Sequence, residues 1–244
     1  PIDRKEEELL SIIPKDRKRS YEMRDIVKLV FDKDSFFEMT KFFGKGIITG
    51  FARINGFPVA IFANDSNFYA GSMSAEGAQK TSRFIKLCDT FRIPIVSLVD
   101  EPGFLIGPDA ERAGTILHGT EAVLATTESK VPWTTIMIRK SFGVAAAAHY
   151  GPDGYVLAWP SAESGPLPLE GGVAVAFKKE IASAKNPEAK RKELEEKMAK
   201  NQSPFPRAEA FSVHEIIDPR ETRKYIALWA ERIQSQLKAS LMNR

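Results

Sequence analysis

With 244 residues, 43% of them hydrophobic, the chain is long enough to bury a full core as one large domain or two small ones. Its 35 basic and 32 acidic side chains nearly balance, which argues against a nucleic-acid surface, and 3 histidines with 1 cysteine cannot build the usual zinc cage or a disulfide framework. No apolar run reaches membrane-span length and no signal peptide is visible, and the cysteine usage fits a reducing compartment.

The chain opens at Pro1 rather than methionine, as a processed chain or one domain of a longer polypeptide would. Residues Pro1 to Arg19 are charged and read as an exposed leader, with the Lys15, Arg17, Lys18, Arg19 cluster as a solvated face. Tyr21 to Phe31 carries a short helical pattern and closes a leader region of residues 1–30. Gly46 to Ile54 and Phe57 to Ala63 read as strands joined by Asn55-Gly56, the strongest short-range hairpin signal. From Ser74 to Phe91 the period is helical, with Ala78, Phe84, Ile85, Cys88 and Phe91 on a buried stripe and Lys80, Arg83 and Lys86 off it. Cys88 is therefore read as packing.

Ile93 to Val99 is a short strand ending at Asp100, Gly114 to Thr127 a helix, and Val131 to Ile138 a buried parallel strand. This alternation calls for crossovers and a parallel sheet, whose functional groups collect beyond the carboxyl ends of the strands. Tyr155 to Trp159 adds a strand and Pro160 to Pro168 a loop. Glu170 to Ala184 is a helix, Pro187 starts a charged exposed helix, and Ser203-Pro204-Phe205-Pro206 breaks it. Val213 to Ile217 is a brief apolar run, and Glu221 to Met242 a long amphipathic helix. Residues 187–244 thus form a helical tail.

The stretch Arg139 to Tyr150, RKSFGVAAAAHY, is the candidate site. A strand that turns at Gly143 directly into a helix leaves backbone amides without intrahelical acceptors, with the positive end of the helix dipole at the same place. Such a corner can hold a developing oxyanion with no side chain taking part. On these residues alone a tight turn relieved by glycine is the stronger reading. The side-chain inventory is poor. Asp100 and Glu101 are adjacent, so they do not face each other and read as a loop cap and a surface charge. His118 reads as a helix polar contact, His214 carries little signal, and His149 is the better acid–base candidate. Ser141 lacks the first glycine of a nucleophile elbow, and there is no phosphate loop or dinucleotide fingerprint.

An ordered series of segments is more specific than any one of these. It runs through Gly50 to Gly56, Val59 to Asn64, Arg83 to Cys88, Ile93 to Asp100, Pro102-Gly103-Phe104 and Gly107. It continues through Glu111, Gly114, His118-Gly119, Val131-Pro132, Arg139-Lys140 and Gly143, and ends at Ile216 to Arg223. Over nearly its whole length the chain resembles the C-terminal half of the carboxyltransferase β subunit of biotin-dependent acyl-CoA carboxylases and related decarboxylases. The resemblance implies an α/β, crotonase-like (ClpP/crotonase) ββα superhelix with a C-terminal helical extension, lacking within this chain the N-terminal acyl-CoA-binding domain. It implies transfer of a carboxyl group from carboxybiotin to the α-carbon of an acyl-CoA. The biotin would be borne by a carrier protein or biotin carboxylase partner, and no metal would be needed. An active site shared with an N-terminal carboxyltransferase domain in a homo- or hetero-oligomer follows, in the cytoplasm or, in a eukaryote, the mitochondrial matrix. Backbone amides at Gly143, Val144 and Ala145 would be catalytic, and Phe104, Ala146 and Ala147 would line the substrate site, Ala147 where the family carries an acyl-length determinant.

Two departures stand out. The corner reads Phe142-Gly143-Val144-Ala145 where the family has tyrosine-glycine-glycine-alanine, and valine adopts positive φ only at a cost. The segment Ser164 to Gly172 is richer in proline than the family pattern. A decarboxylase or transcarboxylase subunit, a non-catalytic interaction domain, and a hydratase or isomerase using Asp100, Glu101 or His149 are the competing readings.

Overall fold

The computed structural model describes residues 1–242. An eight-stranded sheet carries the fold, in the order β1 (Phe37–Met39), β2 (Ile47–Ile54), β3 (Phe57–Asn64), β4 (Ile95–Glu101), β5 (Trp133–Phe142), β6 (Tyr155–Ala158) and β8 (Glu215–Ile216), with β7 (Glu163–Gly165) also paired to β5. β1, β2 and β3 run antiparallel; from β3 onward every pairing is parallel. The β2–β3 hairpin turns as its sequence requires. Asn55 and Gly56 both take left-handed conformations, φ +50° and +82°, and Ile54 pairs with Phe57.

Strand alternation splits the core in two. Val59, Ile61 and Ala63 of β3, with Val96, Leu98, Ile136 and Ile138, pack in one layer under α1 (Met23–Val30) and α10 (Thr222–Arg232). Ala60 and Phe62 face the opposite layer, under α2 (Ala75–Phe91), α4 (Thr115–Thr127) and α5 (Gly143–Ala147). Each fully buried Ile or Phe in these layers contributes roughly 1.5–3 kcal/mol.

The opening segment is not an exposed leader. Leu9 is buried, Ile2, Ile12 and Ile13 pack on the first layer, and Arg4 donates to the carbonyls of Leu29 and Phe31. In α2, Ser74 caps the N-terminus as its residue type suggests, and Cys88 is fully buried with its thiol pushed up by burial. Two of the stripe assignments are reversed. Phe91, at the last turn, is 65% exposed. Lys80 is buried because its ammonium donates to three carbonyls, Thr40 at 3.0 Å, Phe43 at 3.1 Å and Ile47 at 2.6 Å, which pin the turn between β1 and β2. Burial lowers the Lys80 pKa to about 8.

A short helix α3 (Pro108–Arg112) precedes α4. The Pro160–Pro168 loop contains β7. The helix expected over Glu170–Ala184 is two, α6 (Leu169–Ala176) and α7 (Lys178–Ser183), interrupted where Phe177 leaves helical ψ. α8 (Pro187–Gln202) begins at Pro187 and ends at Ser203, but Pro204 at once starts α9 (Pro204–Glu209), since proline is well placed in a first turn. The terminal helix is likewise divided at Ile233 into α10 and α11 (Gln234–Met242). Among the described residues no helix is long and apolar enough to cross a membrane.

Candidate functional site

β5 runs to Phe142, whose backbone is extended, and the chain turns into α5 at Gly143 with φ +65°. A Cβ at Gly143 would meet only the Pro166 carbonyl oxygen, at 3.5 Å, so glycine is needed here for its left-handed backbone and not for space. The positive φ falls on Gly143 alone. Val144 sits in the first turn of the helix, outside the left-handed region, so valine costs nothing in backbone strain. No side chain caps α5, and its first amides have no acceptor within the helix. Gly143 and Val144 are exposed, while Ala145 and Ala146 are buried.

A cavity of about 270 Å³ adjoins this corner, lined by Gly143, Ala146 and Ala147 together with Ser141, Tyr150, Ser164 and Arg207. β7 builds its far wall: Ser141 pairs with Ser164 and Phe142 with Gly165. Phe104 is not part of it. Its ring lies over Gly119, where a Cβ would come within 2.4 Å, and its backbone bridges to Met73. The structure therefore brings Gly143, Ala146 and Ala147 to one cavity and leaves Phe104 packed against the apolar layer beneath the β4 loop.

Neither Asp100 nor Glu101 is a surface charge: both are fully buried, and it is Glu101 that caps the loop after β4. Arg139 grips Asp100 through Nε (3.1 and 3.2 Å) and Nη2 (2.9 Å), donates to the Arg19 carbonyl, and lies 4.8 Å from the centre of the Tyr21 ring. This pair ties the opening segment to the ends of β4 and β5. Glu101 accepts from the amides of Met73 (3.3 Å) and Gly103 (3.0 Å) and from Asn64 Nδ2 (3.0 Å). Burial, opposed by these bonds, raises its pKa to about 8.

His149 is not available for proton transfer at the corner. It is fully buried below it, stacked on Phe62 at 4.2 Å, with Nδ1 bonded to Ser97 Oγ at 2.9 Å and Nε2 3.7 Å from Glu101. Burial lowers its pKa to about 3, so the ring is neutral and the carboxyl holds the pair's proton. His118 makes the helix polar contacts expected of it, with Gln79 at 2.8 Å and Glu121 at 3.1 Å, and His214 accepts from the Val156 amide. Among the described residues no three His, Cys, Asp or Glu side chains cluster as a metal site would require.

Ser164 and Arg207 carry no sequence signal for this site. β7 and α9 bring them to the corner from 21 and 64 residues downstream of Gly143, Ser164 from a segment read as a loop and Arg207 from just past the helix break at Ser203-Pro204-Phe205-Pro206.

The model of the carboxyl transferase domain family matches residues 1–243. The chain is 36% identical over 242 residues to the propionyl-CoA carboxylase carboxyltransferase subunit of Haloferax mediterranei, covering 97% of this chain and 47% of that protein. It is 38% identical over 224 residues to the methylmalonyl-CoA carboxyltransferase 12S subunit of Propionibacterium freudenreichii subsp. shermanii, covering 90% and 43%. The solved transcarboxylase 12S, a hexamer with methylmalonyl-coenzyme A bound, superposes with a TM-score of 0.90 at 36% identity over 96% of this chain and 46% of that one. The β subunit of P. aeruginosa geranyl-CoA carboxylase superposes at 0.84 with 25% identity, over 95% and 44%. The chain thus spans a little under half the length of these relatives, and its fold is the crotonase-like one expected from the resemblance. A match over residues 1–243 makes the chain a member of the carboxyl transferase domain family.

Proposed function

We propose that this chain is the C-terminal, carboxybiotin-receiving half of an acyl-CoA carboxyltransferase, moving a carboxyl group from carboxybiotin to the α-carbon of an acyl-CoA. The observation that carries the reading is the Gly143 corner of a chain that belongs to this family from end to end: uncapped amides beside a small cavity, with every nearby histidine and carboxylate committed elsewhere. The Val144 and Ala145 amides are donors for a carbonyl oxygen on which charge develops. Biotin, carried by a partner protein, supplies the activated carboxyl carbon when bound. The residues present fit it, since the corner offers N–H donors and, among the described residues, no acidic side chain lines the cavity. Asp100, Glu101 and His149 act by holding β4, β5 and the loop after β4 in place. Completion of the site by an N-terminal carboxyltransferase domain or subunit, in an oligomer placed in the cytoplasm or mitochondrial matrix, belongs to the same reading.

The test is reconstitution. The chain alone should transfer no carboxyl group between biotin and any acyl-CoA; mixed with its N-terminal counterpart it should do so without added metal at this step. Turnover by the isolated chain, or a folded mixture inert toward every acyl-CoA tried, would overturn the proposal.

A further inference from the structure

The cavity beside the corner is chemically one-sided. Arg207 lines it, always positively charged, with no carboxylate within ion-pairing distance among the described residues, and no Asp or Glu shares the lining. Ser141 Oγ and the Tyr150 hydroxyl lie 2.7 Å apart. That bond uses one of their two protons and leaves the other for a ligand. Burial pushes the Tyr150 phenol up to about 12, with Arg207 close enough to oppose part of the effect, so it remains an O–H at neutral pH. Ser164, 7% exposed, has a buried Oγ with no hydrogen-bond partner, on the strand paired to Ser141. A buried hydroxyl left unpaired is destabilising unless something enters to meet it.

The lining therefore offers a guanidinium, one spare hydroxyl proton from the Ser141–Tyr150 pair and, buried behind the surface, the unpaired Ser164 hydroxyl, around a space of about 270 Å³. A surplus of donors with net positive charge selects an anionic oxygen group, and the planar fork of arginine suits a carboxylate. Ala147, with a single methyl on the lining, leaves the space open between this wall and Gly143. From this we infer that the pocket is a carboxylate subsite, and that the acyl-CoA taken by this chain carries a free carboxylate at the far end of a short acyl group. The inference rests on the carboxyltransferase reading, in which carboxybiotin and the acyl group that accepts its carboxyl meet at the corner.

The experiment compares glutaryl-CoA with valeryl-CoA, five-carbon acyl groups that differ in the terminal carboxylate, using the chain assembled with its N-terminal counterpart. The readout is the ratio of kcat/KM for the two substrates, in which general damage to the fold cancels. The parent should favour glutaryl-CoA. Arg207→Gln should collapse the ratio about 10- to 100-fold, chiefly through KM, as loss of a charge-assisted bond does. Arg207→Lys should recover part of it, and Ser164→Ala should lower it several-fold. A ratio that Arg207→Gln leaves unmoved overturns the inference, as does a parent that prefers valeryl-CoA. Equal loss for both substrates also overturns it, since Arg207 would then serve the transferred carboxylate or the fold. If the assembled parent transfers to no acyl-CoA, calorimetric binding decides separately. Arg207-dependent preference for glutaryl-CoA upholds the subsite while the transfer reading falls, and binding without preference removes both.

Discussion

Replacing Glu101 by Gln tests whether the buried carboxyl beneath the β4 loop is held protonated. Its folded pKa of about 8 lies above the ordinary 4.5, so between these values the folded chain holds a proton that the unfolded chain has released. Stability must then fall as pH rises, at about 1.4 kcal/mol per pH unit, or about 5 kcal/mol across the window. His149, lowered from 6.5 to about 3, has the opposite slope below pH 6.5. The two cancel between about 4.5 and 6.5; from 6.5 to about 8 the falling limb belongs to Glu101, until Lys80, lowered by burial from 10.5 to about 8, adds the opposite slope in parent and variant alike. Gln retains an oxygen for the Met73 and Gly103 amides but sets its NH2 against Asn64 Nδ2. That amide cannot flip, because Asn64 Oδ1 accepts from the Asp100 amide and Nδ2 donates to the Gly71 carbonyl. The donor–donor contact costs about 1–3 kcal/mol at every pH. Glu101→Gln should therefore be the less stable protein at pH 4.5 and the more stable at pH 8, the curves crossing between roughly pH 5 and 7. Urea unfolding from pH 4.5 to 8.5 at fixed ionic strength measures this. Parallel curves for parent and variant between pH 6.5 and 8 would refute the protonated carboxyl.

Arg139→Leu should destabilise the chain by about 3–5 kcal/mol, because it leaves the fully buried Asp100 charged and unpaired; adding Asp100→Asn should recover part of the loss in the same denaturation assay. Gly143→Ala should cost about 1–2 kcal/mol through its positive φ and not through contact, and Gly143→Pro, which requires φ near −65°, should abolish transfer while Val144→Ala stays close to the parent. If Gly143→Pro folds and transfers at the parent rate, the corner is only a turn. Cys88 should resist a thiol reagent in the folded chain and react once unfolded, since burial keeps it in the thiol form; prompt labelling of the folded protein would contradict its packing.

What the sequence discloses depends on how local the cause is. The Asn55-Gly56 hairpin and strands β2 to β6 are set by neighbours within a few positions and form close to where their residues predict, whereas β1 and β7 are not read from the sequence. Lys80 is misread because a helical period counts an ammonium as a solvent-facing group, and nothing in α2 reveals three carbonyls 33 to 40 residues upstream waiting for it. Asp100 and Glu101 fail for the same reason: Arg139 and Asn64, which make their burial tolerable, are brought to them by β5 and β3. The corner itself is legible as strand, glycine and helix. Its cavity is not, because Ser164, Gly165 and Arg207 of its wall come from β7 and α9, elements whose sequences read as a loop and a helix break.

The substitution of valine for glycine at the corner is resolved by the backbone. A second glycine is needed only if two consecutive residues turn left-handed, and here Gly143 alone does so. Val144 keeps the amide and adds an exposed isopropyl group at the lip, 69% accessible. The donor arrangement is thus separable from what surrounds it. The polar contributions of Ser164 and Arg207 arise on other elements and can change without moving an amide, whereas the amides depend on one glycine and on the buried pairs that fix β4 and β5. In the proposed reading, reaction type and acyl preference consequently rest on different residues of one small cavity, which is why Arg207→Gln should redirect selectivity and Gly143→Pro should end transfer.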